Sequence, residues 1–251
     1  MKRMIIITLS AGGALLLAPL PAQAAAPKDP VRALKAKLVA GHGVRFTETT
    51  TLVDGSDKRV LQRRTGTFQF SRKGVAAADI TAKDRGEAVP ERVITIGKVS
   101  YLSGGLWAEK LPEGKRWYRT GGLRGGGAGF YGQVINPVEP GTLAALVKKG
   151  KRAGNTLTGT ITFKELDKVS PWFAASIPLR FHDDTKVSYR LTLSGAGLVT
   201  KVSSSYAATG VFDTSGFDGK TMTIDTRFTS WGKRVSIKAP APATVSTKVD
   251  D

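Results

Sequence analysis

The chain has no cysteine in 251 residues. That excludes disulfides, thiolate catalysis, cysteine-ligated metals and a lipid carried on an N-terminal cysteine. Histidine is almost as scarce, with only His42 and His182. Neither belongs to a His-Glu-x-x-His pattern, and no Gly-x-Ser-x-Gly occurs. Acidic residues are few: 20 Asp and Glu stand against 38 Lys and Arg, a formal charge of +18. No period of 20 to 50 residues repeats, which argues against a solenoid. The order of elements is not βαβ, which argues against a parallel sheet.

What is present begins with a leader. Lys2 and Arg3 precede an apolar run from Met4 to Leu20, broken by Gly12, Gly13 and Pro19, and Ala22-Gln23-Ala24 is a small-x-small cleavage site. Residues 1–24 are expected to be a secretory signal peptide. The run is short for a membrane span and ends in Pro-x-Pro. There is no twin-Arg, so the general export route fits. The expected mature chain is released, extracellular or in the cell envelope, and not lipid-anchored. In an exported protein the cationic excess points away from nucleic acid. It points toward transient contact with an anionic membrane or wall polymer, or else it is a solvated, soluble surface.

Along the chain, Asp29-Pro30 reads as a helix cap with Val31, Leu34 and Leu38 on one stripe, stopped by Gly41. The period then changes to two. Val44, Phe46, Glu48, Thr50 and Leu52 share one face of a strand that turns at Asp54-Gly55. Strand patterns follow through "TGTFQFSRKG", "GVAAADITAK", "ERVITIGKVSYLSGGLW" and "KRWYRTG". "NPVEPGTLAALVKKG" reads as a helix, "GNTLTGTITFKEL" as a strand and "SPWFAASIPLRF" as a short apolar helix or turn. "YRLTLSGAGLVTKV" reads as a hairpin, and the last hairpin is expected to turn at Trp231-Gly232. The fold class is α+β: a large curved antiparallel sheet, a half-barrel, wrapped over a few short helices. One domain is expected over 25–240, with 241–251 a disordered tail.

Chemistry is hard to find. "GGLRGGGAGFYGQ" lacks the Gly-Lys-Ser/Thr ending of a phosphate loop. His182-Asp183-Asp184 has no partner spacing for a metal. Ser230-Trp231-Gly232-Lys233 is formally Ser-x-x-Lys, but Gly232 and strand-like flanks do not place Lys233 beside Ser230 on a helical turn. No catalytic residue, metal or cofactor is expected, and the protein is read as non-enzymatic.

The leading helix "DPVRALKAKL", the strand pair "TGTFQFSRKGVAAADI", "VITIGKVSYLSGGLW" followed by "KRWYR", the helix "NPVEPGTLAALV", the hairpin "YRLTLSGAGLVTKV" and the ending "FTSWGKRVSIKAP" occur in that order. In this the chain resembles the LolA-like lipoprotein-carrier fold, in particular its LppX/LprG-type lipid-carrier branch. The resemblance spans most of Pro27 to Pro240. It implies an antiparallel half-barrel over helices with an apolar cavity for acyl chains. The chain departs from the lipoprotein branch in lacking the lipidated cysteine.

Two readings follow. One is a secreted carrier for a lipid or acyl-chain-like ligand, with Phe68, Phe70, Ile94, Ile96, Tyr101, Ile161, Phe163, Tyr189 and Leu191 as inward-facing cavity residues. Arg119 and Arg124 would meet an anionic headgroup at the mouth. The other is a basic envelope-associated interaction protein whose core is simply filled. A one-residue slip of register would exchange the faces.

Overall fold

The computed structural model describes residues 29–121, 132–176, 182–211 and 215–250. The expected leader, Arg124 and most of the glycine-rich stretch lie outside these residues. Helix α1 (Pro30–Lys37) starts where the sequence caps it: Asp29 Oδ1 accepts from Val31 N at 2.9 Å, and Leu34 and Leu38 bury their stripe against the core. A six-strand meander follows: β1 (His42–Asp54), β2 (Asp57–Ser71), β3 (Gly74–Asp84), β4 (Glu91–Ile96), β5 (Val99–Ser103) and β6 (Trp117–Gly121). Then come α2 (Pro140–Lys149), β7 (Lys151–Ala153), β8 (Thr156–Thr162), α3 (Phe163–Val169), α4 (Pro171–Ser176), β9 (Lys186–Leu193), β10 (Val199–Ala207), β11 (Thr221–Arg234) and β12 (Val245–Ser246).

The twelve strands of the described residues form one open sheet in the order β12-β6-β5-β4-β3-β2-β1-β11-β10-β9-β8-β7. It is the α+β half-barrel that the patterning predicts, with four short helices among the described residues. Its inner face carries β1 residues Val44, Phe46, Glu48, Thr50 and Leu52, all buried as their alternation requires. Phe46 stacks on Phe68 of the next strand, ring centroids 5.1 Å apart. Gly66 lies under the Phe46 ring, where a Cβ would collide with it. No helix among the described residues is long and apolar enough to cross a membrane.

Four features differ from the sequence reading. The sheet is mixed, because β12 pairs in parallel with β6 through Val245–Trp117 and Ser246–Tyr118. This corrects the expected disordered tail: residues 242–246 form a 3-10 turn and a short strand, held by Arg116 N donating to Thr244 O at 2.9 Å and Lys115 Nζ to Ala243 O at 2.9 Å. Trp231-Gly232 is not a hairpin turn. It lies inside β11, where the register against β1 jumps from Arg45–Thr229 to Gly43–Lys233 and leaves three residues opposite Val44. The expected "RVSIKAP" return strand does not form: between Arg234 and β12 the described chain pairs in no strand. The chain crosses the end of the sheet, with Val235 N on Gly41 O at 2.9 Å and Ile237 N on Gln69 Oε1 at 2.7 Å.

Finally, the "TITFKEL" strand ends at Thr162, and Phe163 begins α3. Thr162 and Glu165 form a reciprocal capping box: Glu165 N donates to Thr162 Oγ1 at 3.3 Å and Thr162 N to Glu165 Oε2 at 2.9 Å.

Candidate functional site

The helices fill one half of the trough and leave the other partly open. On the filled side, Ile161, Phe163, Tyr189 and Leu191 are buried in the packed core. Phe163 meets Phe173 and Tyr206 at centroid distances of 5.1 and 5.3 Å. The Tyr189 hydroxyl donates to Leu146 O at 2.7 Å, pinning α2 onto β9, and its phenol is pushed up to about 12 by burial.

On the open side a groove of about 610 Å³ runs between the sheet and the starts of α2 and α4. Phe68, Ala78 and Thr95 form its sheet wall, and Pro140, Val169, Pro171 and Trp172 form its helical wall. It opens at the β2–β3 tip, with Ser71, Lys73 and Gly74, and at the β4–β5 turn, with Gly97 and Lys98. The groove is left open where β3 begins with small residues: Gly74, Ala76, Ala77 and Ala78 line it together with Val75.

The floor is polar and tightly held. Glu139 Oε2 accepts from Thr142 Oγ1 at 2.8 Å and from Ser170 Oγ at 2.6 Å, and Oε1 accepts from Trp172 N at 2.8 Å. One carboxylate thereby joins the N-terminal ends of α2 and α4. Burial raises the Glu139 carboxyl above its usual range, against the three hydrogen bonds that favour the anion.

Trp172 ties this floor to a second buried cluster. Its Nε1 donates to Gln133 O at 2.7 Å, and the Arg64 guanidinium lies 5.8 Å from its ring centroid. Arg64 and Glu48, each with a side chain 1% exposed, pair at 2.6 Å. Glu48 Oε1 also accepts from Gln133 N at 3.0 Å and Oε2 from Thr226 Oγ1 at 2.8 Å. Ser204 Oγ donates to Gln133 Oε1 at 2.6 Å. Gly132 presses against Arg64, leaving no room there for a Cβ.

Of the nine expected cavity residues only Phe68 lines the groove. Phe70 is buried beside it, its ring 6.1 Å from Trp231. Ile94, Ile96 and Tyr101 lie on the other face: Val93 pairs with Ile80 and Leu102 across the inner face, which puts Ile94 opposite Asp79 and Tyr101 outside. Arg119 pairs with Tyr101 and shares that outer face. The residues that do meet in the groove, Ala78, Thr95, Glu139, Lys73 and Lys98, give weak sequence signals. The clearest is the pair Glu139-Pro140 and Ser170-Pro171, each a proline at a helix start.

The residues considered for catalysis remain apart. His42 Nδ1 contacts Ala40 O at 3.2 Å in a turn, His182 precedes β9, and Ser230 sits in the β11 bulge. Among the described residues no cluster of three His, Asp or Glu side chains is arranged to hold a metal.

No protein-family model matches the chain, and no curated protein matches it. Among solved structures, the chain is similar to the crystal structure of the lipoprotein LppX of Mycobacterium tuberculosis, at 12% identity, covering 83% of this chain and 96% of that one, with a TM-score of 0.39. It is also similar to a LolA superfamily protein of Nitrosomonas europaea, at 7% identity, covering 79% and 90%, with a TM-score of 0.33.

Proposed function

We propose that the protein is a non-enzymatic carrier that binds an apolar, acyl-chain-like ligand in the groove between β2–β4 and the starts of α2 and α4. The observation that supports this is the groove itself: about 610 Å³, walled by Phe68, Ala78, Val169 and Trp172, and open at one end. That size falls within the range of small-molecule sites, about 300 to 1,000 Å³. Burying a chain of about ten methylenes gains roughly 8 kcal/mol of transfer free energy, before the cost of immobilising the chain is subtracted. Lys73 and Lys98 at the mouth suit an anionic headgroup or an anionic membrane surface. In this reading the chain is exported, residues 1–24 are removed and the product is released. N-terminal sequencing of secreted material should then begin near Ala25.

A fluorescent fatty acid tests the binding. The parent protein should bind it saturably. Ala78→Leu, which fills the groove from its sheet wall, should weaken binding at least tenfold with an unchanged far-UV circular dichroism spectrum. Ile161→Leu, in the packed half, should bind as the parent does. Absence of saturable binding by the parent, or equal binding by Ala78→Leu, overturns the reading.

A further inference from the structure

The Ser230-Trp231-Gly232-Lys233 motif has no part in the groove, yet it is the most unusual piece of backbone in the described chain. Ser230 has φ of 58°, the one non-glycine residue with positive φ among the described residues. Such a conformation costs free energy and persists where the surroundings enforce it. Here the enforcement is visible. Trp231 is driven inward, its ring 6.1 Å from Phe70 and 6.0 Å from Phe228, with Nε1 donating to Val199 O at 3.0 Å. Gly232, at φ 73°, then carries the chain back into register. With Trp231 anchored inside, Ser230 is held outside.

What Ser230 faces is a hollow of about 290 Å³ lined by Val44, Arg45, Ser230, Lys233, Arg234 and Val235. Three of these are cations and none is a carboxylate. Neither the cations nor the Ser230 hydroxyl has a side-chain hydrogen bond or ion pair among the described residues, although Asp79, Asp225 and Glu48 elsewhere on the sheet are each paired with a cation. Lys37 of α1 adds a fourth positive charge nearby, its Cδ about 3.3 Å from where a Gly232 Cβ would stand. Like charges gathered around one hollow without a counter-charge are unfavourable, and the strained backbone at Ser230 adds a cost of its own. One class of occupant offsets the charge and uses the outward-held hydroxyl: a tetrahedral oxyanion, which accepts from guanidinium, ammonium and hydroxyl donors together.

We propose that the β11 bulge is a binding site for a phosphate-class oxyanion, with Ser230 as hydroxyl donor and Arg45, Lys233 and Arg234 as cationic donors. The site stands apart from the groove and does not depend on it. It does share an end of the sheet with the groove mouth, since β1 begins and β11 ends where β2 turns into β3. Phosphate could be presented there free in solution or on a lipid headgroup.

The test uses the full chain and two probes, inorganic pyrophosphate followed by calorimetry and vesicles of phosphatidylglycerol or phosphatidylcholine followed by co-sedimentation. The parent should bind pyrophosphate saturably, or bind phosphatidylglycerol vesicles and not phosphatidylcholine. The first result assigns a free phosphate and the second a headgroup. Lys233→Glu/Arg234→Glu should lose at least tenfold in affinity for the probe that binds. Lys58→Glu/Arg59→Glu, the same charge change at the far end of β2, should lose less than threefold. Ser230→Gly gives a readout that charge alone does not move: its melting temperature should rise by a few degrees as strain is relieved, while its affinity falls. Failure of the parent to bind either probe overturns the site. So does equal loss in the two charge-reversal variants, or unchanged affinity in Ser230→Gly.

Discussion

Replacing Glu48 by Gln keeps the shape of the side chain, removes one charge from the interior and turns one acceptor oxygen into an NH2 donor. The Glu48 carboxylate receives Arg64 Nε at 2.7 Å and Nη2 at 2.6 Å, Gln133 N at 3.0 Å and Thr226 Oγ1 at 2.8 Å. Both charged side chains are about 1% exposed, so water cannot take over when one is lost. Two unit charges about 4 Å apart interact by about 4 kcal/mol at an effective dielectric constant of 20. Breaking a buried pair from one side costs about 3 to 5 kcal/mol, because the remaining ion is left in the interior. Glu48→Gln should therefore lose about 3 to 5 kcal/mol, a large share of the 5 to 15 kcal/mol typical of a folded domain. Arg64→Met, which strands the carboxylate, should cost a similar amount. The double variant Glu48→Gln/Arg64→Met buries no charge and should cost less than the sum by about 2 kcal/mol or more. Urea unfolding at pH 7, followed by far-UV circular dichroism on all four proteins, measures the cycle. A loss below about 1 kcal/mol for Glu48→Gln, or strict additivity, would show that the buried pair contributes no more than an exposed one.

Other expectations follow from single sites. The Glu91 carboxyl is pushed up to about 7 by burial first, then by Asp84 and Glu87. The fold thus favours its protonated form, and the stability from Glu91 is complete below its ordinary value of 4.5 and is lost as pH rises through 7. Because the group is partly solvated, the effect is about 1 to 2 kcal/mol, and Glu91→Gln should remove that slope from a plot of stability against pH. Gly66→Ala puts a methyl into the Phe46 ring and should cost about 1 to 3 kcal/mol in urea unfolding; a neutral result would show that the ring has room to move. Tyr189→Phe removes the hydrogen bond to Leu146 O and should cost about 1 kcal/mol, with faster amide exchange in α2 as the local readout.

The sheet was more legible than the site, and the reason is period. Alternation in β1 placed Val44 through Leu52 on the inner face, polar Glu48 and Thr50 included. In β4 and β5 alternation marks a face without saying which one looks inward. "VITI" and "VSYL" carry large apolar residues on both sides, so Ile94, Ile96 and Tyr101 could be exchanged for Val93 and Leu102 by a slip of one. Trp231-Gly232 read as a turn because positive φ is common to turns and bulges, and only the partner strand distinguishes them. The start of α3 was present in the sequence as Thr162-x-x-Glu165, a capping box inside a strand-like run. The groove was the least legible feature. It is made by small residues on β3 and by two helix starts distant in sequence, and space between elements leaves no periodic trace.

The seam between β1 and β11 has a consequence for how the molecule assembles. Strands β1 to β6 and β7 to β11 are two local meanders, each able to pair as it is made, but the hydrogen bond from Thr226 to Glu48 spans 178 positions. Closing so long a loop costs entropy before any contact offsets it, and folding rates fall as such contacts come to dominate. The seam therefore closes late. Until it does, Glu48 and Arg64 lack Thr226 and the full cover of the second meander. Pairing of β11 with β1 is then the step that joins the two meanders into one sheet.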